Sequence, residues 1–450
     1  MRVLLFHGYM LRGTGSNIYN LNLARALAGL GHEVHLLCQD REVRIDGVQV
    51  HNPDIHGLLP VYVKDPYEGF EVKTFPELTE AELDRYIEAN VAAVRQVAES
   101  VGGVDAALGN HLVMGPAILA RAGIGPFAAK IHGSALEYTV KPHPRFLPYA
   151  EEGVRAANGV LVGSAHTAES LWTALPAVRD LKDKTRLGPP GVDIEEFQPF
   201  SHASSRQPGL VVFVGKLIVS KGVDLLIAAW PLVHAAHPQA KLRIAGFGAY
   251  EDGLRRLLTA LDRGDLDDAR EVGRLGWGLE GGEERQLPIL SAFLADPPTG
   301  YAEAARAAAG SVELVGRLEH DQVAALLPRA DALVMPSTFP EAFGMVAVEA
   351  AAAGALPISA GHSGMLEVSR QLAAKLPSEV GRLTSFSVDA DAVTAIAANL
   401  DVWLSLPEDE RARARATVVE TVGRLWSWEG VARGVLAAAA GELADLPRPG

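Results

Sequence analysis

The 450-residue chain is too long for one ordinary hydrophobic core, and two domains of about 200 residues each are the natural expectation. Its 48% apolar and 21% charged residues describe a globular protein rather than a disordered one, and a formal net charge of −14 argues against a general nucleic-acid binder, because phosphate backbones select basic surfaces. The single cysteine, Cys38, rules out an intrachain disulfide framework and fits a reducing compartment.

Short β-branched runs alternate with longer helical patterns along the whole chain, which is the grammar of parallel α/β sheets. The first strand, Val3–Phe6, stops at His7-Gly8, before a signal h-region or a membrane span could form, so a cytoplasmic protein is expected, with peripheral membrane contact left open. Next comes Gly13-Thr-Gly15-Ser-Asn17. It fails the G-x-G-x-x-G fingerprint because Ile18 stands at the third glycine, yet a Gly-rich turn still lets backbone approach a ligand. A helix over Ile18–Leu30 and a strand over Glu33–Cys38 follow, with Cys38 reading as a buried small hydrophobe. Thr79 with Glu82 forms a capping-box pattern opening a helix whose apolar positions are Leu83, Ile87, Val91, Val94 and Val97. Strands are expected at Ala106–Gly109, Ala128–His132, Gly159–Gly163 and Thr185–Leu187.

Residues 198–209, rich in Ser, Pro, Gln and His, read as a linker between a domain over 1–197 and a second over 210–426. The second half repeats the pattern with strands at Leu210–Val214, Lys241–Ala245, Val312–Val315, Ala332–Met335 and Leu356–Ser359. One doubly wound sheet per half is the simple reading. Two such sheets facing each other would place a ligand site in the cleft between them. Residues 263–310 exceed an ordinary helix-to-strand connection and read as an insertion, a lid or an interaction surface. A final helix over 427–450 is expected to pack back on the first domain.

The strongest chemical signal is Pro336-Ser-Thr-Phe-Pro-Glu341-Ala-Phe343-Gly344-Met345-Val-Ala-Val-Glu349, between a buried strand and a helix. Glu341 would lie near the free amides of residues 343 to 345, where helix N–H groups and dipole suit a phosphate. Glu349, about 80° further round a helix, could face the same cleft, and a carboxylate can accept both hydrogens of a ribose diol. The plainer alternative is a helix-terminal charge and a solvated Glu. In Phe213-Val-Gly215-Lys216-Leu-Ile-Val-Ser-Lys221-Gly222, two cations flank the next helix start, which a bound diphosphate would rationalise; two exposed loop lysines are the alternative. His132, in Lys130-Ile-His132-Gly-Ser134, ends an apolar strand and could hydrogen-bond a sugar or acceptor hydroxyl, although strand-end histidines are often structural. His7 and His111 have weaker claims of the same kind, and His166 reads as a helix-start residue. No zinc spacing, P-loop or nucleophile elbow occurs.

Taken together, these segments resemble the retaining glycosyltransferases of family 4, which have the GT-B fold of two facing Rossmann-like domains. The resemblance covers nearly the whole chain. Leu23 to Val34 looks like the family's first helix and second strand, and Gly191 to Pro199 like its domain-closing segment. Gly215-Lys216 to Lys221-Gly222 resembles its phosphate loop, Gly246-Phe-Gly248 the following turn, and Glu341 to Glu349 its E-x7-E motif. Departures are Lys216 where the family usually has Arg, Ala342 where it has Gly, and His362-Ser363-Gly364-Met365 in place of a Gly-Gly-x-x-Glu turn.

The resemblance implies roles. Lys216 and Lys221 would bind the donor diphosphate, Glu349 the ribose and Glu341 the donor sugar. The amides of Phe343, Gly344 and Met345 would face sugar or phosphate, with Gly13, Gly15, Gly215 and Gly246 close to the donor and His132 beside the transferred sugar. The implied reaction moves a sugar from a nucleotide-sugar (UDP-, GDP- or ADP-linked) to a hydroxyl acceptor: a metabolite, a lipid-linked sugar or a glycan. Configuration would be retained, with no metal or other cofactor. A nucleotide-sugar epimerase, a phosphorylase and a non-catalytic nucleotide-sugar-binding protein are the alternatives.

Overall fold

The computed structural model describes residues 1–12, 15–64, 67–197 and 206–450. The chain divides into two compact units, one formed by Met1–Gly191 with Trp426–Gly450 and the other by Val192–Leu425.

Unit 1 is built on seven parallel strands: β1 (Arg2–Phe6), β2 (Glu33–Leu37), β3 (Val48–His51), then β6 (Ala106–Asn110), β7 (Phe127–Ile131), β8 (Gly159–Val162) and β9 (Thr185–Leu187), in the order β3-β2-β1-β6-β7-β8-β9. Between them, β4 (Leu58–Val61) and β5 (Glu71–Thr74) make a separate parallel pair. The main strands are apolar on both faces because helices cover both, as parallel sheets require. On one face lies the helix Glu80–Ser100. Its capping box is formed as expected, with Glu82 N–H donating to Thr79 Oγ1 (3.3 Å) and Thr79 N–H to Glu82 Oε2 (2.8 Å), and Leu83, Ile87, Val91, Val94 and Val97 are all buried.

The other face is covered by the helix Gly15–Gly29 and the C-terminal helix Trp428–Ala440, whose Ala432, Val435, Ala438 and Ala439 join Val3, Leu5, Val34 and Leu36 in one core. Gly159 admits this helix closely: a Cβ there would lie 2.7 Å from the Ala438 carbonyl oxygen. The tail beyond is tied down by Arg186 Nε donating to the Leu443 carbonyl and Leu187 N–H to the Pro447 carbonyl, both at 2.7 Å.

Unit 2 holds six parallel strands, β10 (Leu210–Val214), β11 (Lys241–Ala245), β12 (Val312–Gly316), β13 (Ala332–Met335), β14 (Leu356–Ala360) and β15 (Ser385–Phe386), in the order β12-β11-β10-β13-β14-β15. Both sheets therefore run outward from their first strand to one edge and then return to the other side of it. This doubly wound order leaves a crevice at the carboxyl ends of the two central strands, β1 and β6 in unit 1, β10 and β13 in unit 2.

The boundary between the units falls at 191/192 rather than at 197. Val192–Phe197 joins unit 2, where the Phe197 ring meets His320 edge-on at 5.4 Å and His320 Nε2–H donates to Glu196 Oε2 at 3.2 Å. Trp426, expected in the second domain, belongs to unit 1. Of the expected linker, 198–205 lie outside the described residues; its end is pinned to unit 2 by Gln207 N–H donating to the Arg329 carbonyl and Gly209 N–H to Asp331 Oδ2. The 263–310 stretch, expected as an insertion, folds as a helical layer: Leu266–Leu275, Pro288–Ala295 and Tyr301–Ala307, joined by a turn at Trp277–Glu280. It packs on the helix Val223–Ala236, to which Tyr301 donates its hydroxyl at the buried Ala228 carbonyl (2.6 Å). Among the described residues no helix is long and apolar enough to cross a membrane.

Candidate active site

At the crevice of unit 2, the loop after β10 carries Gly215, Lys216 and Lys221. Its course is fixed by backbone. Gly215 N–H donates to the Ala245 carbonyl (3.0 Å), Leu217 N–H to Phe247 (2.8 Å), and Tyr250 N–H returns a bond to the Leu217 carbonyl (2.9 Å). The turn after β11 must approach this loop without a side chain in the way. At Gly246 a Cβ would fall 1.9 Å from the Gly215 carbonyl oxygen, which is why glycine stands there.

The loop after β13 is stitched to the first. Thr338 N–H donates to the Ser220 carbonyl (2.9 Å), and Gly222, with φ +64°, lets the Pro336 carbonyl come within 2.1 Å of where a Cβ would be. Lys221 Nζ donates to Glu341 Oε1, and so does Ser337 Oγ (2.8 Å). Burial pushes the Glu341 carboxyl upward, but the charge and hydrogen bond of Lys221 outweigh it and hold the group below the usual carboxylate range. Each of the two side chains stays about a quarter exposed. The charge of Lys221 is thus already met by a carboxylate of its own unit, which the expectation of two cations awaiting an anion had not foreseen.

The helical-wheel argument for Glu341 and Glu349 does not apply. The helix begins at Met345 and ends at Ala352, so Glu341 lies before it, and its position is set instead by side chains on the next loop. Ser363 Oγ accepts from Glu341 N–H (2.9 Å) and bonds His362 Nδ1 (3.1 Å), while His362 Nε2–H donates to the Ser337 carbonyl (2.8 Å). With the ring proton on Nε2, Nδ1 accepts and the Ser363 hydroxyl donates. Phe343 and Gly344 are buried and Met345 half-buried at the helix start, where the first amides have no intrahelical acceptor. Glu349 is only 8% exposed. Burial, reinforced by Glu196 and opposed by His320, pushes its carboxyl up to about 7.

Of the residues expected near the donor, Gly13 lies outside the described residues, and Gly15 is the exposed first residue of the helix Gly15–Gly29. His132 follows β7 in unit 1. Asn110 spends its amide on the Phe6 carbonyl (3.1 Å), so its oxygen must accept from His132 Nε2–H (2.8 Å), leaving Nδ1 as the ring's acceptor. His7 is saturated: Nε2–H donates to Asn17 Oδ1 (2.9 Å) and the Met10 carbonyl (3.1 Å), and Nδ1 accepts from Asn20 (3.0 Å). Burial lowers His7 to about 4 and carries His132 and His111 well below the usual imidazole value, the neighbouring rings adding to the effect. Neither nitrogen of the buried His111 has a hydrogen-bond partner among the described residues, and its φ is +66°. The His111 ring centroid lies 4.8 Å from those of both His132 and Tyr62, tilted by 51° and 45° to them. His166 is the second residue of the helix Ala165–Ala174, as expected.

Comparison with known proteins bears on this arrangement from both ends of the chain. A family model described as Glycosyltransferase Family 4 matches residues 13–196, and one described as Glycosyl transferases group 1 matches 194–265 and 302–418. Together the two models, both of glycosyltransferases, span most of the chain, which belongs among the glycosyltransferases. Glycogen synthase of Mycobacterium tuberculosis is 30% identical over 263 residues, 57% of this chain and 50% of that protein, so the chain spans about half the length of this relative. D-inositol 3-phosphate glycosyltransferase of Frankia alni is 29% identical over 370 residues, 78% of each chain. Among solved structures, sucrose-phosphate synthase from Thermosynechococcus elongatus superposes with a TM-score of 0.62 at 20% identity, covering 96% of this chain and 97% of that one. Anabaena HepE, in a structure with UDP and glucose, gives 0.59 at 14%, covering 99% and 100%. These neighbours establish the GT-B fold.

In this glycosyltransferase, sequence reasoning missed the layer that sets Glu341. Ser337, His362 and Ser363 were given no role, and only the departure at 362–365 from the family's turn marked the place. His111, given a weaker claim than His132 from the sequence, follows β6 beside the central strand. Among the described residues, no three His, Cys, Asp or Glu side chains gather as a metal site would require.

Proposed function

We propose that the protein transfers a sugar from a nucleoside-diphosphate sugar to a hydroxyl acceptor with retention of anomeric configuration. The observation that carries this reading is the pairing of Lys221 with Glu341 across the two loops at the unit 2 crevice, with Lys216 on the same loop and the buried Glu349 one helix away. HepE, a protein of the same fold, has been seen with UDP and glucose, which supports a sugar nucleotide as donor.

Each residue has a task that its setting fits. Lys216 and Lys221 offset charge on the diphosphate as it leaves, in place of a metal ion. Glu341 keeps Lys221 oriented and offers its remaining acceptor capacity to a sugar hydroxyl. Glu349 accepts from the ribose diol; the hydroxyl donors stabilise its anionic form, so donor binding draws the carboxyl below its unliganded value. His132, neutral and with Nδ1 as acceptor, takes a hydrogen bond from a sugar or acceptor hydroxyl. In the reaction the acceptor oxygen bonds to the anomeric carbon on the face the diphosphate leaves. The anomeric C–O bond to phosphate breaks, and the acceptor proton passes to the departing phosphate oxygen. The buried Cys38 fits a reducing compartment, and the cytoplasm is the proposed location.

A thermal-shift screen with UDP, GDP, ADP and TDP tests the donor assignment. At about a hundred times its dissociation constant, one of them should stabilise the native state by about 2.7 kcal/mol. The shift should disappear in Glu349→Ala; a shift surviving intact in that variant would remove the ribose role. Product analysis without acceptor separates the rival enzyme class, since an epimerase interconverts the donor sugar and a transferase at most hydrolyses it.

A further inference from the structure

The group 1 family model passes over residues 266–301, so the first two helices of this layer and the turn between them are an addition to the shared domain. Its central turn is held rigidly. Trp277 N–H donates to the Arg285 carbonyl (3.0 Å), Gly282 N–H to the Trp277 carbonyl (3.1 Å), and the Arg285 guanidinium lies 4.5 Å above the Trp277 ring. Leu279 seats the turn on the helix Glu251–Arg263: a Cβ at Gly253 would stand 3.2 Å from Leu279 Cβ and 2.4 Å from the Tyr250 ring. From this seat Glu280 reaches the lysine loop, and its Oε2 accepts from Val219 N–H at 3.0 Å.

That contact fills a gap. The shared domain anchors the loop at Gly215 and Leu217 through the β11 side and at Ser220 through Thr338. Val219, between these anchors, is 3% exposed, and the acceptor for its amide comes from the added layer. A buried amide without an acceptor is costly, and a carboxylate is a stronger acceptor than a neutral group. We propose that Glu280 is a positioning residue through which the added layer holds the Lys216–Lys221 loop in the shape that receives the donor diphosphate. The proposal rests on the assignment of that loop to the diphosphate.

The test uses the full chain as wild type, Glu280→Ala, Glu280→Gln and Glu280→Asp. Hydrogen exchange in the ligand-free protein reads the clamp alone: amides of 217–221 should exchange faster in Glu280→Ala and return toward wild type in Glu280→Gln, whose amide oxygen still accepts. Titration with the nucleoside diphosphate that stabilises the wild type reads its consequence. Glu280→Ala should weaken binding about tenfold, Glu280→Gln about threefold, and the donor KM should move more than kcat. If Glu280→Ala does not fold, Glu280→Asp, which draws the carboxylate back by one methylene, should show the same changes in smaller measure. Unchanged exchange in the Ala and Asp variants overturns the clamp. Equal or tighter diphosphate binding in Glu280→Ala overturns the positioning role, the tighter case making Glu280 a competitor for the phosphate. If no nucleoside diphosphate binds the wild type, the donor reading fails, while faster exchange in Glu280→Ala still supports the clamp.

Discussion

The two units solve one topological problem with opposite electrostatics. Each sheet doubles back at its first strand and places loop residues at the carboxyl ends of two central strands. In unit 2 those loops hold an ion pair, Lys221 with Glu341, and further on the buried acid Glu349. In unit 1 the equivalent ends carry His7 and His111, with His132 one strand on, all kept neutral by burial. The fold supplies the place and leaves the chemistry to a handful of side chains. A charged crevice suits an anionic leaving group; a neutral one suits hydroxyls.

The sharpest way to break this contrast is to remove the charge from unit 2. Lys221→Ala deletes a cation and leaves Glu341 without its counter-ion. If the pair serves the leaving diphosphate, kcat/KM should fall by about a thousandfold, the scale seen when a preorganised electrostatic partner is lost. Steady-state kinetics with the donor found by thermal shift would show it. A loss of less than about tenfold would return Lys221 to the plain loop lysine that the sequence alone also allowed.

The contrast also predicts opposite responses to pH. His7 has a folded value of about 4 against an unfolded value near 6.5, so the unfolded chain binds the proton more readily. Its contribution to stability is present above about pH 6.5 and is lost as pH falls through 4. Glu349, raised to about 7, works the other way: the folded state holds the proton more tightly, and stability present below about pH 4.5 is lost as pH rises through 7. Glu349→Gln should therefore melt above the wild type at pH 8, by up to about 3 kcal/mol in stability, and lose that advantage by pH 4.5. Asp224, buried and also raised to about 7, adds a parallel slope in the wild type. A variant with the same advantage at both pH values would show that Glu349 does not titrate in this window.

These differences mark how far the sequence could be read. The strands came through clearly because a strand buried on both faces is a continuous apolar run: Leu210–Val214, Lys241–Ala245 and Ala332–Met335 have the expected bounds. What escaped was short or half-exposed. Val48–His51 is partly open at the sheet edge, Leu58–Val61 and Glu71–Thr74 form a pair outside the main sheet, and Ser385–Phe386 is two residues long, too short for any periodicity. At the site, residue types were legible where charge in an apolar context made them stand out, as with Glu349 after an apolar Val-Ala-Val run. Partnerships were not. That Lys221 would meet Glu341, or that Ser363 would hold the Glu341 amide, depends on loops 120 and 22 residues apart meeting in space.

On the neutral side, His132→Ala should sharpen the comparison by affecting turnover without affecting the diphosphate. Removing one hydrogen-bond acceptor for a sugar or acceptor hydroxyl should lower kcat/KM by about tenfold, with nucleoside-diphosphate affinity unchanged. Because His132 is held neutral, the wild-type rate should show no inflection near pH 6.5 from this ring, which a pH–rate profile checks directly. An inflection there that vanished in His132→Ala would mean the imidazole titrates in the working enzyme and is not the neutral acceptor described.

The smallest effect concerns how the charged side is built. Ser363 Oγ is the acceptor for the Glu341 amide, and Ser363 itself has φ +52°, a conformation that glycine adopts freely and alanine does not. Replacing the hydroxyl by alanine removes the bond and keeps the backbone demand; glycine removes the bond and relaxes that demand. If the hydrogen bond is what sets Glu341, Ser363→Ala and Ser363→Gly should raise the donor KM by the same factor, about fivefold, because each loses one neutral hydrogen bond to a buried amide. If the backbone conformation is what matters, Ser363→Gly should behave as wild type and Ser363→Ala should be the worse of the two. The pair of variants thus separates two explanations that a single substitution would merge, and it asks whether the charged crevice owes its geometry to the ion pair alone or also to the Ser363 hydroxyl.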